Sequence, residues 1–338
     1  MDNNPLPTPV SPPDAPDENS TAPAAGSVPA IAEARGNEVR LESVWAPLRE
    51  IFVGPEGLYP AARWLIYIAM CFFVFGVLSS VLHAVSPVRG GMWSSFTREL
   101  VMMLSAILPG FALAPVEGRR FGDFGLPTRG VFGRNFWAGA LWGIGALTVL
   151  MLVLRAAGAF TFGSLDLHGA RIVKFGFFYL VFFLMTGLFE DFLMRGYSQW
   201  VLTRAMNFWP AAAFLSIIFG ALHTSNAGET KVGLVAVVFI GFFFCLTLRR
   251  TGTLWWAVGF HMAWDWGESF LYSVPDSGTL VQGHLLNSSF QGPDWLTGGS
   301  VGPEGSYLIF GLMAGLWVLF SWLYPEVKYG VGEIPVTK

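Results

Sequence analysis

Glu190 and Asp191 stand side by side just after the uncharged run FGFFYLVFFLMTG, and Arg195 follows four residues after Asp191. A charge at the centre of a membrane-spanning helix costs about 2.5–3.5 kcal/mol on insertion scales, so such groups need a partner or a function. On an α-helix Asp191 and Arg195 lie about 40° apart and share a face. Glu190 and Arg195 are about 140° apart. The simplest reading pairs Arg195 with Asp191 and leaves Glu190 free to act elsewhere. The plain alternative is a salt-bridge cluster where the helix meets the interface.

Two further segments carry ionisable groups. FGALHTSN holds Phe219 and His223 at i,i+4 spacing. A lone histidine late in an apolar helix is most often a hydrogen-bonded packing residue. GFHMAWDWGE places His261 and Asp265 one turn apart, with Glu268 a further turn along the same side. An aspartate in that position can orient the imidazole or share a ligand with it. Carboxylates beside imidazoles, with no serine or cysteine in the same pattern, point to activated water. Glu190 is then the general base, and His223 and His261 donate to a developing oxyanion. A zinc ion held by His223, His261 and Asp265 with water in its open position is the other chemistry of this set, although no HExxH is present.

These residues must be positioned by membrane helices. The 338 residues are 53% hydrophobic and 13% charged, with 31 Phe and 14 Trp. The mean hydropathy is +0.53. That composition is too apolar for a soluble domain and fits an all-α, polytopic membrane bundle surrounded by lipid. A net charge of −3 gives no footing for a nucleic-acid partner. Cys71 and Cys245 lie within apolar runs and read as small core residues.

Eight apolar runs have spanning length, over about 63–85, 98–116, 135–155, 174–200, 208–226, 232–249, 253–273 and 305–324. The seventh is the least regular, because it contains His261, Asp265 and Glu268. Residues 1–45 are polar and proline-rich and read as a disordered tail without a signal peptide. Residues 46–62 read as a short interfacial helix or an ordered linker. A transmembrane domain follows over 63–326, then a short tail over 327–338. GPEG occurs at 54–57 and at 302–305, each time before a span, as a helix-start signal.

With a cytoplasmic N-terminus, thirteen Lys and Arg fall inside, among them Arg63, Arg119, Arg120, Arg204, Arg249 and Arg250. Six fall outside: Arg89, Arg98, Arg155, Arg171, Lys174 and Lys231. Both termini are therefore expected in the cytoplasm. Counted from the inferred cytoplasmic helix ends, Glu190, His223 and His261 lie roughly 12–23 Å deep, which suits one wet cavity, read here as facing the cytoplasm.

The three segments resemble the motifs of the CPBP family of intramembrane proteases, which includes the CAAX prenyl endopeptidases and bacteriocin-processing or self-immunity proteins. The first motif, two glutamates and an arginine four residues after the second, is matched by EDFLMRG through Glu190, Arg195 and Gly196. It departs at Asp191, where the family usually has Glu. Phe219 and His223 match the second motif, Phe-x-x-x-His. His261 and Asp265 match the third, His followed four residues later by Asn or Asp. The matched core is about residues 174–270. The resemblance implies a helical membrane fold and peptide-bond hydrolysis. Glu190 would activate water, and His223, His261 and Asp265 would bind the water, the oxyanion or a metal. Other classes remain open at this point: a non-catalytic membrane scaffold of the same fold, and a proton-coupled transporter using the acids and histidines as a relay. Transporters often show internal repeats, and none is visible beyond GPEG. The peptide substrate and the oligomeric state are not legible in the sequence.

Overall fold

The architecture was obtained as a computed structural model, which describes residues 52–54, 57–85, 90–226 and 228–329. The tail expected over 1–45, the segment 46–51 and the terminal residues from 330 lie outside the described residues. The helices belong to one unit, Pro55–Lys338.

Among the described residues, nine α-helices of ten or more residues build it: α1 Pro60–Val85, α2 Met92–Val116, α3 Arg134–Ala156, α4 Ala170–Arg195, α5 Tyr197–Met206, α6 Phe208–Leu222, α7 Lys231–Thr251, α8 Trp255–Trp266 and α9 Leu308–Leu323. Sheet among the described residues is confined to two-residue strands. One pair, β1 Phe160–Thr161 and β2 Ser289–Phe290, runs antiparallel with Phe160 opposite Phe290. The expected polytopic helical membrane bundle is the observed fold.

Six segments among the described residues are long and apolar enough to cross a membrane: α1, α2, α3, the α4–α5 stretch, α6 with its final turn, and α7. The other two expected spans are helical but do not meet that measure. One is α8, which continues as a π-helix over Gly267–Tyr272 and carries His261, Asp265 and Glu268. The other is α9, with 16 residues. The fourth expected span, 174–200, is not one helix. It breaks at Gly196, directly after Arg195. A Cβ there would meet the Phe192 carbonyl oxygen at 2.5 Å.

The helix that bears His261 is seated by small residues. Gly139 and Gly143 on α3 face the backbone of α8, where a Cβ would come within 1.9 Å of the Trp256 oxygen and 2.3 Å of the Phe260 oxygen. Gly259 on α8 faces the Phe136 oxygen at 2.1 Å in the same sense. Such glycine-lined crossings let helix backbones touch in lipid, where packing rather than water exclusion drives association.

The two ends of the bundle differ in chemistry. At one end the start of α1, the end of α2 and α5 meet: Glu117 pairs with Arg63 at 2.6 Å and with Arg204 at 3.8 Å, and accepts from Tyr197 at 2.7 Å. The end of α7 joins them through Arg249, whose Nη1 donates to the Tyr329 oxygen at 2.6 Å. At the other end β1 and β2 tie the segment after α3 to the long connection between α8 and α9. Asp166 N–H also donates to Leu285 O at 2.9 Å there.

Candidate active site

Helix α4 carries Glu190 and Asp191 into the interior near its C-terminus. Asp191 Oδ1 accepts from Arg195 Nη1 at 2.9 Å, across one helical turn. Both side chains are buried, at 0% and 1% exposure. Arg195 also donates from Nε to the Gly241 oxygen at 3.2 Å. Its guanidinium lies 4.5 Å from the Phe219 ring centroid and 5.4 Å from that of Phe244. Two aromatic faces, a carboxylate and a carbonyl thus compensate a buried cation. Gly241 leaves room for this arrangement, since a Cβ would sit 2.7 Å from Arg195 Nη2. The role of Phe219, at the start of the second motif, follows from the same contacts. It covers Arg195, and its carbonyl accepts from His223 Nδ1 at 2.9 Å. A carbonyl can only accept, so Nδ1 bears the proton and Nε2 is left for a ligand.

His261 is the meeting point of the acids. Its Nε2 lies 3.6 Å from Glu190 Oε2 and 3.4 Å from Asp265 Oδ2. Its Nδ1 lies 3.5 Å from Asp191 Oδ2. Neither Nδ1 nor Asp191 Oδ2 makes a hydrogen bond. Glu190, unlike its neighbour, keeps 22% side-chain exposure. Arg195 pairs with Asp191, and Glu190 pairs with no arginine among the described residues. Gly187, one turn before Asp191, faces α8, with its Cβ position in ordinary contact 3.4 Å from the His261 Cβ.

Glu190, His223, His261 and Asp265 all line one cavity of about 510 Å³. His223 stands apart from the others on that wall and joins none of the ion pairs around His261 among the described residues. The three residues proposed as a zinc set also fail to gather. Among the described residues, the acids and histidines whose ligand atoms all fall within 4.8 Å of one another are Glu268, Asp276 and Glu304, not His223, His261 and Asp265. The alternative zinc set of His223, His261 and Asp265 therefore does not fit, and no step below is drawn through a metal at His261.

Several lining groups were not singled out in the sequence. Glu99 on α2 is buried, lines the cavity and accepts from Thr186 Oγ1 at 3.3 Å. The same rule that flagged Glu190, a charge within an apolar span, flags Glu99. Asp276 and Glu304 reach the cavity from the connection between α8 and α9, where composition gives no such signal. Burial, then the nearby Asp265 and Glu304, push the Asp276 carboxyl well above the usual carboxylate range. Glu229, ahead of α7, is raised as well, chiefly by burial.

The lining also defines a direction. It includes Gly91 before α2, Asn226 after α6, and Asp276, Thr279, Gln282 and Glu304. All belong to the end of the bundle opposite Arg63, Glu117, Arg204 and Arg249. The loops with the cavity residues are those that the charge count puts outside. Cytoplasmic termini and a cytoplasm-facing cavity, both expected from the sequence, are therefore mutually exclusive.

Residues 172–267 match the family model of type II CAAX prenyl endopeptidases, Rce1-like. This core is similar to the CAAX proteases. The match covers less than a third of the chain but contains Glu190, Arg195, Phe219, His223, His261 and Asp265, so the three motifs fall within it. No curated protein matches the chain. The family is one of proteases, and its match supports an endopeptidase activity embedded in the membrane.

Proposed function

We propose that this protein is an intramembrane endopeptidase in which Glu190 activates a water molecule for attack on a peptide bond. The observation that carries the reading is the convergence of Glu190, Asp191 and Asp265 on His261 at the wall of a cavity large enough for a peptide segment. Of the three acids, Glu190 has neither an arginine nor a helical i,i+4 partner, and it is the most exposed.

Glu190 takes the proton as the water oxygen adds to the carbonyl carbon. The resulting oxyanion is held by an N–H of His261, while His223, whose Nδ1–H is taken by the Phe219 carbonyl, accepts from the attacking water through Nε2. Collapse breaks the C–N bond, and the proton on Glu190 passes to the leaving amine. Asp265 and Asp191 flank the ring of His261 at its two nitrogens, and Arg195 holds Asp191 in place. Asp191 in place of the family's usual glutamate shortens that side chain by one methylene, and the direct pair with Arg195 accommodates the shorter reach.

On the excess of Lys and Arg, both termini are assigned to the cytoplasm. The cavity then receives its substrate from the outer side of the membrane, which replaces the cytoplasm-facing cavity expected from the sequence alone. The test of activity is a peptide-library assay on detergent-purified protein, with Glu190→Ala as control. Specific cleavage by the parent and none by the variant supports the reading. Cleavage that persists in the variant refutes it.

A further inference from the structure

One group of acids takes no part in the chemistry above. Asp276 and Glu304 approach each other from the two ends of the connection between α8 and α9, and each is already oriented. Ser269 Oγ donates to Asp276 Oδ2 at 3.2 Å. Trp264 Nε1 donates to Glu304 Oε1 at 3.1 Å, and Ser277 donates to Glu304 Oε2 from its hydroxyl at 3.0 Å and its N–H at 3.3 Å. Between them stands Glu268, in the π-helical turn after α8. It is fully buried, and neither of its carboxylate oxygens has a hydrogen-bond partner. π-turns of this kind frequently occur at functional sites.

One oxygen from each of the three carboxylates falls within 4.8 Å of the other two. No Lys or Arg pairs with any of them among the described residues. Three carboxylates packed this closely repel, and a buried carboxylate without a partner is costly. A cation at the centre would relieve both. Oxygens about 2.3–2.6 Å from a common centre lie up to roughly 5 Å from one another, which is the spread seen here. The donors are all oxygens, which selects a hard cation over zinc.

We propose that Glu268, Asp276 and Glu304 bind a divalent cation of the calcium class, which ties the connection between α8 and α9 to the end of α8. Asp276 and Glu304 also line the cavity, so water can complete the ion's coordination. The ion pins the cavity wall and does not touch Glu190. The site stands whether or not the protein is a protease.

Terbium replaces calcium at oxygen sites, and its emission is sensitised by a nearby indole. Trp264, bonded to Glu304, supplies that indole. The full chain, stripped with chelator in detergent, is titrated with Tb3+ under tryptophan excitation. Saturable emission that Ca2+ displaces is expected, together with a rise in Tm on adding Ca2+. Glu268→Gln and Asp276→Asn should each weaken Tb3+ binding at least tenfold and remove the Ca2+-dependent Tm rise. Asp276 lies in a connecting segment and is not fully buried, so its variant remains informative if Glu268→Gln does not fold. Emission that Ca2+ does not displace, or that is unchanged in the variants, overturns the proposal. So does a parent Tm indifferent to Ca2+, the outcome expected if the acids share protons instead.

Discussion

At the residue scale, Arg195 makes a structural prediction that differs from anything expected of Glu190. It is fully buried between Phe219 and Phe244 and is the only Lys or Arg paired with Asp191 among the described residues. Removing one partner of a buried pair costs about 3–5 kcal/mol, because the other charge is left uncompensated. Arg195→Ala should therefore reduce the yield of folded protein and lower its Tm, as measured by thermal unfolding in detergent. A parent-like Tm would mean that Asp191 is compensated by something other than Arg195. The pairs Asp191–Arg195 and His261–Asp265 were legible in the sequence because each closes within one helical turn, where spacing alone fixes geometry. The placement of His223 was not legible. It ends α6, and how far it stands from His261 depends on how α6, α7 and α8 cross.

At the element scale, the position of His261 depends on α8 lying directly against α3. Gly139, Gly143 and Gly259 make that crossing possible, with backbone where side chains would otherwise stand. Substituting Gly259→Val forces the helices apart. Overpacking of this kind typically costs about 1–3 kcal/mol. The expected result is a lowered Tm and reduced turnover, because Glu190 and His261 separate. A variant with unchanged Tm and turnover would show that the crossing does not set the site. The sequence marked the helices well, since apolar length is a strong signal. It did not mark the break at Gly196, the π-helical end of α8, or the reach of Asp276 and Glu304 into the cavity. Those depend on tertiary contacts: Glu304, read as part of a helix-start signal, does lie in the short 3-10 turn Pro303–Gly305 ahead of α9, and its side chain is also held by Trp264 and Ser277.

At the scale of the whole molecule, one end is rich in arginine and the other holds the cavity residues. Charge counting and cavity direction are independent, and together they support the proposal that the substrate enters from the outer side of the membrane. Single cysteines in place of Ser277 at the cavity end and Arg129 at the basic end should label oppositely with an impermeant maleimide in intact cells. Ser277→Cys should react and Arg129→Cys should not. The reverse pattern would place the cavity in the cytoplasm and the termini outside. Reporter fusions at Lys338 and within residues 274–304 should likewise give opposite localisations, and the same side for both would contradict the bundle's two-ended arrangement.

The central claim is that Glu190 is the base and Asp191 its structural neighbour. Turnover and Tm of Glu190→Gln and Asp191→Asn, compared with the parent on one cleaved peptide, test it most directly. Glu190→Gln keeps shape and removes the base. It should retain the parent Tm and lose about 10²–10⁴-fold in turnover, the usual loss for a general base. Asp191→Asn should lower the Tm, because Arg195 then lacks its counter-charge. Glu190→Gln cleaving like the parent, with a fully folded Asp191→Asn inactive, would assign the two acids the other way round.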